Sequence, residues 1–239
     1  MSEADWTAYT AATNNGLDSG QVSKGVSNGF TPPNGGGSFV QGFHALTTAT
    51  GVAGYYYSGL SAFNPIATNK GGSIRAALRR YAAGTKYAPL IGLIAGTDLA
   101  AAKAYIIGLS DTDPYQYVLR KGLVAGGLDP SGDDVLRTSD ETFSANTLWH
   151  HLRLDVIVNP QGDVVLNVYA NDLSVNAVTA PSWSSISGMD SFTDDGNGIL
   201  TGTLPLTSGF RAFMGHFNDG EAGKVSLIDH VEVYRQTSP

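Results

Sequence analysis

The chain has 239 residues, no cysteine, 30 glycines, 15% charged residues and a formal net charge of −7. That length suits one large β domain, the missing thiols exclude disulfides and thiolate metal sites, and a glycine-rich, charge-poor composition argues against a helical bundle. The 14 basic residues are scattered, with Lys24 alone among the first 69 positions, so no phosphate-binding face is expected and nucleic acid drops out as a partner.

Residues 1–38 are rich in Gly, Ser, Thr and Asn, and Thr31-Pro32-Pro33-Asn34-Gly35-Gly36-Gly37 can continue neither a helix nor a central strand. An extended N-terminal arm over 1–38 is predicted, ahead of a single domain over 39–239. Trp6, Tyr9 and Phe30 are among the few large apolar side chains of the arm. They are the expected assembly anchors, inserting either into the chain's own domain or into a neighbouring subunit. Met-Ser-Glu-Ala-Asp-Trp offers neither the basic start nor the apolar core of a secretory signal. No apolar run approaches the roughly 18 residues of a membrane-spanning helix. Folding in a cytosol, with no membrane partner, is the expectation.

From residue 39 onward, short apolar segments alternate with turn residues. Strands are predicted near 39–46, 53–58, 72–81, 89–95, 103–109, 115–121, 148–158, 163–171, 209–217 and 225–235, with a helical turn over 97–104. In the second of these, Tyr55 and Tyr57 share a face. They are candidates for a sugar-stacking platform or for an interface, since flat rings serve both.

The clearest local structure is a hairpin. His150, Leu152, Leu154, Val156 and Val158 alternate with Trp149, His151, Arg153, Asp155 and Ile157. The first set marks the core face. Asn159-Pro160-Gln161-Gly162 favours a type I turn. The return strand sets Val164, Leu166 and Val168 against Val165, Asn167 and Tyr169.

Trp149-His150-His151-Leu152-Arg153-Leu154-Asp155, a turn, and Gly162-Asp163-Val164-Val165-Leu166-Asn167-Val168-Tyr169 together resemble the central hairpin of laminin G-like and concanavalin A-like domains. Ile228-Asp229-His230-Val231-Glu232-Val233-Tyr234 resembles the closing strand of that fold, and Tyr115-Gln116-Tyr117-Val118-Leu119-Arg120-Lys121-Gly122 one of its inner strands. The resemblance implies an all-β, concanavalin A-like jelly-roll sandwich of two antiparallel sheets. The whole register resembles structural virion proteins of tailed bacteriophages. It implies a capsid-decorating or tail-associated component, located in the virion and assembled in the host cytoplasm, present in repeated copies. Its partners are then other virion proteins. The alternative is a lectin-like, carbohydrate-binding module for attachment to surface glycans.

No catalytic set is evident. Glycoside hydrolases of this fold need two carboxylates on one sheet face, about 5–5.5 Å apart for retention. The four glutamates are Glu3, Glu141, Glu221 and Glu232, and no two share a predicted strand. Asp229 and Glu232 are three apart and are expected on opposite faces. His150 and His151 point opposite ways, His150 to the core edge and His151 to the surface, so the spacing supplies no zinc site. No Gly-x-Ser-x-Gly elbow is present. The chain is therefore expected not to be an enzyme and to need no cofactor. Loop-bound calcium stays open, at Asp129-Pro130-Ser131-Gly132-Asp133-Asp134, Asp194-Asp195-Gly196-Asn197-Gly198 or Asn218-Asp219-Gly220-Glu221, although tight turns favour these residues in any case.

Overall fold

The computed structural model describes residues 6–10, 17–18, 41–45, 50–57, 71–80, 87–95, 103–110, 114–123, 135–142, 149–171, 183–196, 205–206, 210–219 and 225–236. Among them every regular element is a β-strand: β1 (Trp6–Thr10), β2 (Leu17–Asp18), β3 (Gln41–Ala45), β4 (Thr50–Tyr57), β5 (Gly71–Arg80), β6 (Tyr87–Ala95), β7 (Lys103–Leu109), β8 (Tyr117–Leu123), β9 (Val135–Thr138), β10 (His150–Val158), β11 (Val164–Asn171), β12 (Ser184–Ser185), β13 (Phe192–Asp194), β14 (Phe210–Asp219) and β15 (Val225–Gln236). They form two antiparallel sheets. The first has the order β1-β4-β14-β6-β7-β8-β9 and the second β12-β11-β10-β5-β15-β3-β2, with β13 also paired to β11. Each predicted strand corresponds to an observed one, whereas β2, β9, β12 and β13 are too short to show a period-two pattern and β1 lies in the segment expected to be an arm. Residues 97–102 of the predicted helical turn lie outside the described residues, and Lys103 and Ala104 open β7.

The β10–β11 hairpin builds the centre of the fold. Leu154 pairs with Val168 and Val156 with Leu166, and on the other side Leu154 pairs with Ile74 of β5. Leu152, Leu154, Val156 and Leu166 are 0% exposed. They meet Ile91, Leu93, Ile107, Leu119 and Met214 of the first sheet in one apolar core, with Val231 and Val233 packed at its margin. Burying such side chains supplies roughly 1.5–3 kcal/mol each. The turn closes as its residues dictate. Gly162 N–H donates to the Asn159 carbonyl at 3.0 Å, and the Asn159 side chain accepts from the N–H groups of Gln161 and Asp163. Gly162 itself sits at φ +90°, open to glycine without strain.

Several polar ties cross the interior between the sheets, among them the buried hydrogen bond from Arg80 Nη1 to the Ser110 carbonyl at 2.9 Å. Tyr117 Oη lies 3.0 Å from His150 Nδ1, which places His150 at the core edge, as its register implies. His216 Nδ1 lies 2.7 Å from Ser226 Oγ. Lys121 Nζ lies 2.5 Å from Asp194 Oδ2, an oxygen that also accepts from Tyr105 Oη at 2.5 Å. Burial, helped by the hydrogen bond to Asp194, holds the Tyr105 hydroxyl protonated well above the usual phenol range.

Part of the predicted arm belongs to the sheets. β1 pairs with β4 in the register Trp6↔Tyr57 through Thr10↔Ala53, and β2 pairs with β3. Backbone pairing along an open edge of the chain's own sheet is thus one role of residues 6–10.

Candidate functional site

The inner face of the second sheet is the core, so its chemistry lies on the outer face. Pairing aligns four residues from four strands in one row: Tyr169 of β11, Arg153 of β10, Arg75 of β5 and Glu232 of β15. The next row is Asn167, Asp155, Ser73 and Tyr234. Two arginines directly opposite each other repel, and the face answers with a carboxylate for each. Arg153 makes a fork with Asp155, Nε to Oδ1 at 2.7 Å and Nη2 to Oδ2 at 2.5 Å. Those hydrogen bonds push the Arg153 guanidinium still higher than its ordinary value. Arg75 instead directs Nε and Nη2 at one oxygen, Glu232 Oε2, at 3.1 and 2.5 Å. Tyr234 Oη donates to the same oxygen, and partial burial together with this carboxylate raises the Tyr234 phenol.

Aromatic rings frame the guanidinium groups. Arg75 lies 4.9 Å from the Tyr234 ring and 5.9 Å from that of Trp183, and Arg153 lies 5.2 Å from the Tyr169 ring. Trp183, just before the edge strand β12, meets there the end of an arginine that β5 sends out. Its indole Nε1 is shielded from solvent and has no hydrogen-bond acceptor among the described residues. Side-chain exposure is 30% at Arg153, 25% at Arg75 and 44% at Glu232, against 5% at Asp155. The face is therefore half open, with a buried acid beneath one arginine and an exposed acid beside the other.

The structure corrects two expectations. Asp229 and Glu232 do not alternate. A register shift sets Asp229 opposite Ala77 and Glu232 opposite Arg75, two β5 positions that share a face. An extra β15 residue opposes β5 there, as in a β-bulge, so three-residue spacing gives both acidic positions the outer-face register. His151 is also not a surface residue. It is 9% exposed, flanked by Asn171 and Ala77 on the neighbouring strands, because that end of the outer face is covered where Trp149, Ala77 and Leu227 cluster.

Other expected sites lie elsewhere. Tyr55 and Tyr57 stand on β4, opposite Met214 and Trp6 respectively. Trp6 and Tyr9 stand on β1, and Phe30 lies outside the described residues, as do the side chains of the other four. Of the calcium loops, 129–134 lies outside the described residues, whereas Asp194 points inward to Lys121 and Tyr105. Among the described residues no three His, Asp or Glu side chains converge as a metal site. The His216–Ser226 pair has the residue types of a nucleophile and its base. Both are buried, at 1% and 0% exposure, so no substrate reaches them and the pair is an inter-sheet tie. Arg75, Trp183 and Tyr234 were not singled out from sequence. The available signal was Arg153-x-Asp155, a same-face charge pair on a strand.

Two antiparallel sheets around one apolar core, with a polar, aromatic outer face, define a β-sandwich of the jelly-roll, concanavalin-like class. Solved structures with TM-scores of 0.50 and 0.55 agree on the fold. One, from work on endo-acting O-glycanases of the human gut microbiota that initiate mucin breakdown, is 14% identical with a TM-score of 0.55, covering 97% of this chain and 92% of its own. The potassium-bound carbohydrate recognition domain of Emp46p is 13% identical with a TM-score of 0.50, covering 97% and 88%. An alginate lyase of Aplysia kurodai is 13% identical with a TM-score of 0.49, covering 90% and 87%. No protein-family model matches the chain, and no curated protein does so.

Proposed function

We propose that the chain is a carbohydrate-binding module of lectin type, acting without catalysis, whose ligand lies on the outer face of the second sheet. The observation that carries this reading is the Tyr169–Arg153–Arg75–Glu232 row, flanked by the rings of Trp183 and Tyr234. Aromatic side chains supply apolar area for a sugar ring, and arginine forks and carboxylates supply directed hydrogen bonds to its oxygens. Two fold neighbours support it: one is a carbohydrate recognition domain, the other comes from work on mucin-degrading O-glycanases. Fold alone does not carry function, so the weight rests on the face itself. Asp155 and Glu232 are each tied to an arginine, an arrangement suited to holding a ligand in place.

The test is a glycan array run with the wild-type chain and with Arg75→Ala and Arg153→Ala. Binding that both substitutions weaken, with no turnover of the bound glycan, is expected. Hydrolysis or elimination of a bound polysaccharide, lost on mutating Asp155 or Glu232, contradicts the non-catalytic part. The virion-assembly reading rests on sequence resemblance alone. A sizing column beside the array separates the two, since co-assembly with particle proteins and an empty array favour it.

A further inference from the structure

The two arginines of the face differ in how replaceable their partners are. Arg153 is satisfied by both oxygens of a carboxylate that is 5% exposed, so a ligand gains little by competing for it. Arg75 aims two donors at a single oxygen of Glu232, whose side chain is 44% exposed. An ion pair of that kind contributes at most about 1 kcal/mol. A planar carboxylate that offers one oxygen to each donor makes the better fork. The guanidinium is already held by Tyr234 and Trp183, so its ordering entropy is spent before the ligand arrives.

Resting on the lectin reading above, we propose that this site selects carboxylate-bearing sugars, with the ligand carboxylate displacing Glu232 from Arg75 while the ring packs against Tyr234 and Trp183. In the bound state Glu232 turns outward to solvent and Tyr234 Oη becomes a further donor to the ligand. The Trp183 ring lies 5.9 Å from the Arg75 guanidinium, and a small shift of the indole brings its shielded Nε1, which has no acceptor among the described residues, to the ligand.

The substitution Glu232→Gln separates this from recognition of neutral sugars, because the two readings assign it opposite signs. The experiment uses the whole chain, a glycan array holding uronate- and sialate-bearing and neutral oligosaccharides, and calorimetry with oligogalacturonate and its methyl ester. Acidic glycans are expected to bind and their methyl esters to lose at least about tenfold, the size of one charged contact. E232Q is expected to tighten acidic binding by up to about fivefold, the worth of the competing ion pair, and Arg75→Lys to weaken it while leaving Tm unchanged. Binding of neutral glycans only, or weakening by E232Q, overturns the selectivity and leaves the lectin reading standing. An array empty of both classes overturns both.

Discussion

Lys121 on β8 and Asp194 on β13 meet at 2.5 Å inside the sandwich, with side-chain exposures of 2% and 7%. They join the two sheets at a point where the sequence separates them widely. Tyr105, bonded to the same carboxylate, also accepts the Leu206 N–H at 2.9 Å and so pins the 205–206 segment. Removing one member of a buried ion pair takes from the other its opposite charge. Asp194→Ala is expected to cost about 3–5 kcal/mol in urea unfolding. A double replacement by apolar residues of similar volume, Lys121→Met with Asp194→Leu, is expected to recover most of that loss. A single-site cost below about 1 kcal/mol contradicts the pairing.

Tyr105 gives a pH dependence of defined sign. Its folded-state proton is held above the usual phenol range by burial and by Asp194. The unfolded chain releases that proton near pH 10, so above this value the unfolded state binds fewer protons than the folded state and stability falls as pH rises. Tyr105→Phe is expected to be less stable at pH 7 but to lose less stability between about pH 9 and 11 than the wild type, read by thermal melts across that range. Equal slopes in the two proteins contradict the assignment.

Leu154 tests the register of the whole second sheet. It is 0% exposed, between Val168 and Ile74. Leu154→Ala is expected to cost about 2–5 kcal/mol, whereas Val165→Ala, half-buried on the outer face, is expected to cost less. The reverse ranking means a one-residue slip, which inverts both faces.

β1 closes part of the edge of β4. A chain lacking residues 1–35 is expected to keep its sandwich, because β1 and β2 each stand at the end of a sheet order, outside the β5, β10 and β11 centre of the fold. It is expected to melt at a lower temperature and to self-associate through the bared β4 edge. Differential scanning calorimetry with light scattering reads both effects. An unchanged Tm in a monomer contradicts the pairing.

The alternation of Leu152, Leu154 and Val156 against Arg153 and Asp155 made the hairpin, its faces and its turn legible, because period-two burial is a local signal. The two antiparallel sheets were legible through the resemblance of the hairpin and the closing strand to concanavalin A-like domains, which composition alone does not carry. The candidate site was less legible. Arg75 and Glu232 are 157 residues apart, and they meet because β5 pairs with β15. The shift between Asp229 and Glu232 defeated the spacing rule, since a bulge adds a residue that alternation does not count. His151 was placed at the surface because alternation tells inner from outer but not whether the outer face is covered.

The most direct measurement of the central claim is an NMR titration of the isotope-labelled chain with the glycan that binds best on the array. The expected result is that perturbed resonances cluster on Arg75, Arg153, Tyr169 and Tyr234, with the Trp183 indole N–H among the largest shifts. Binding whose perturbations fall elsewhere, leaving the outer face of the second sheet unmoved, contradicts the account.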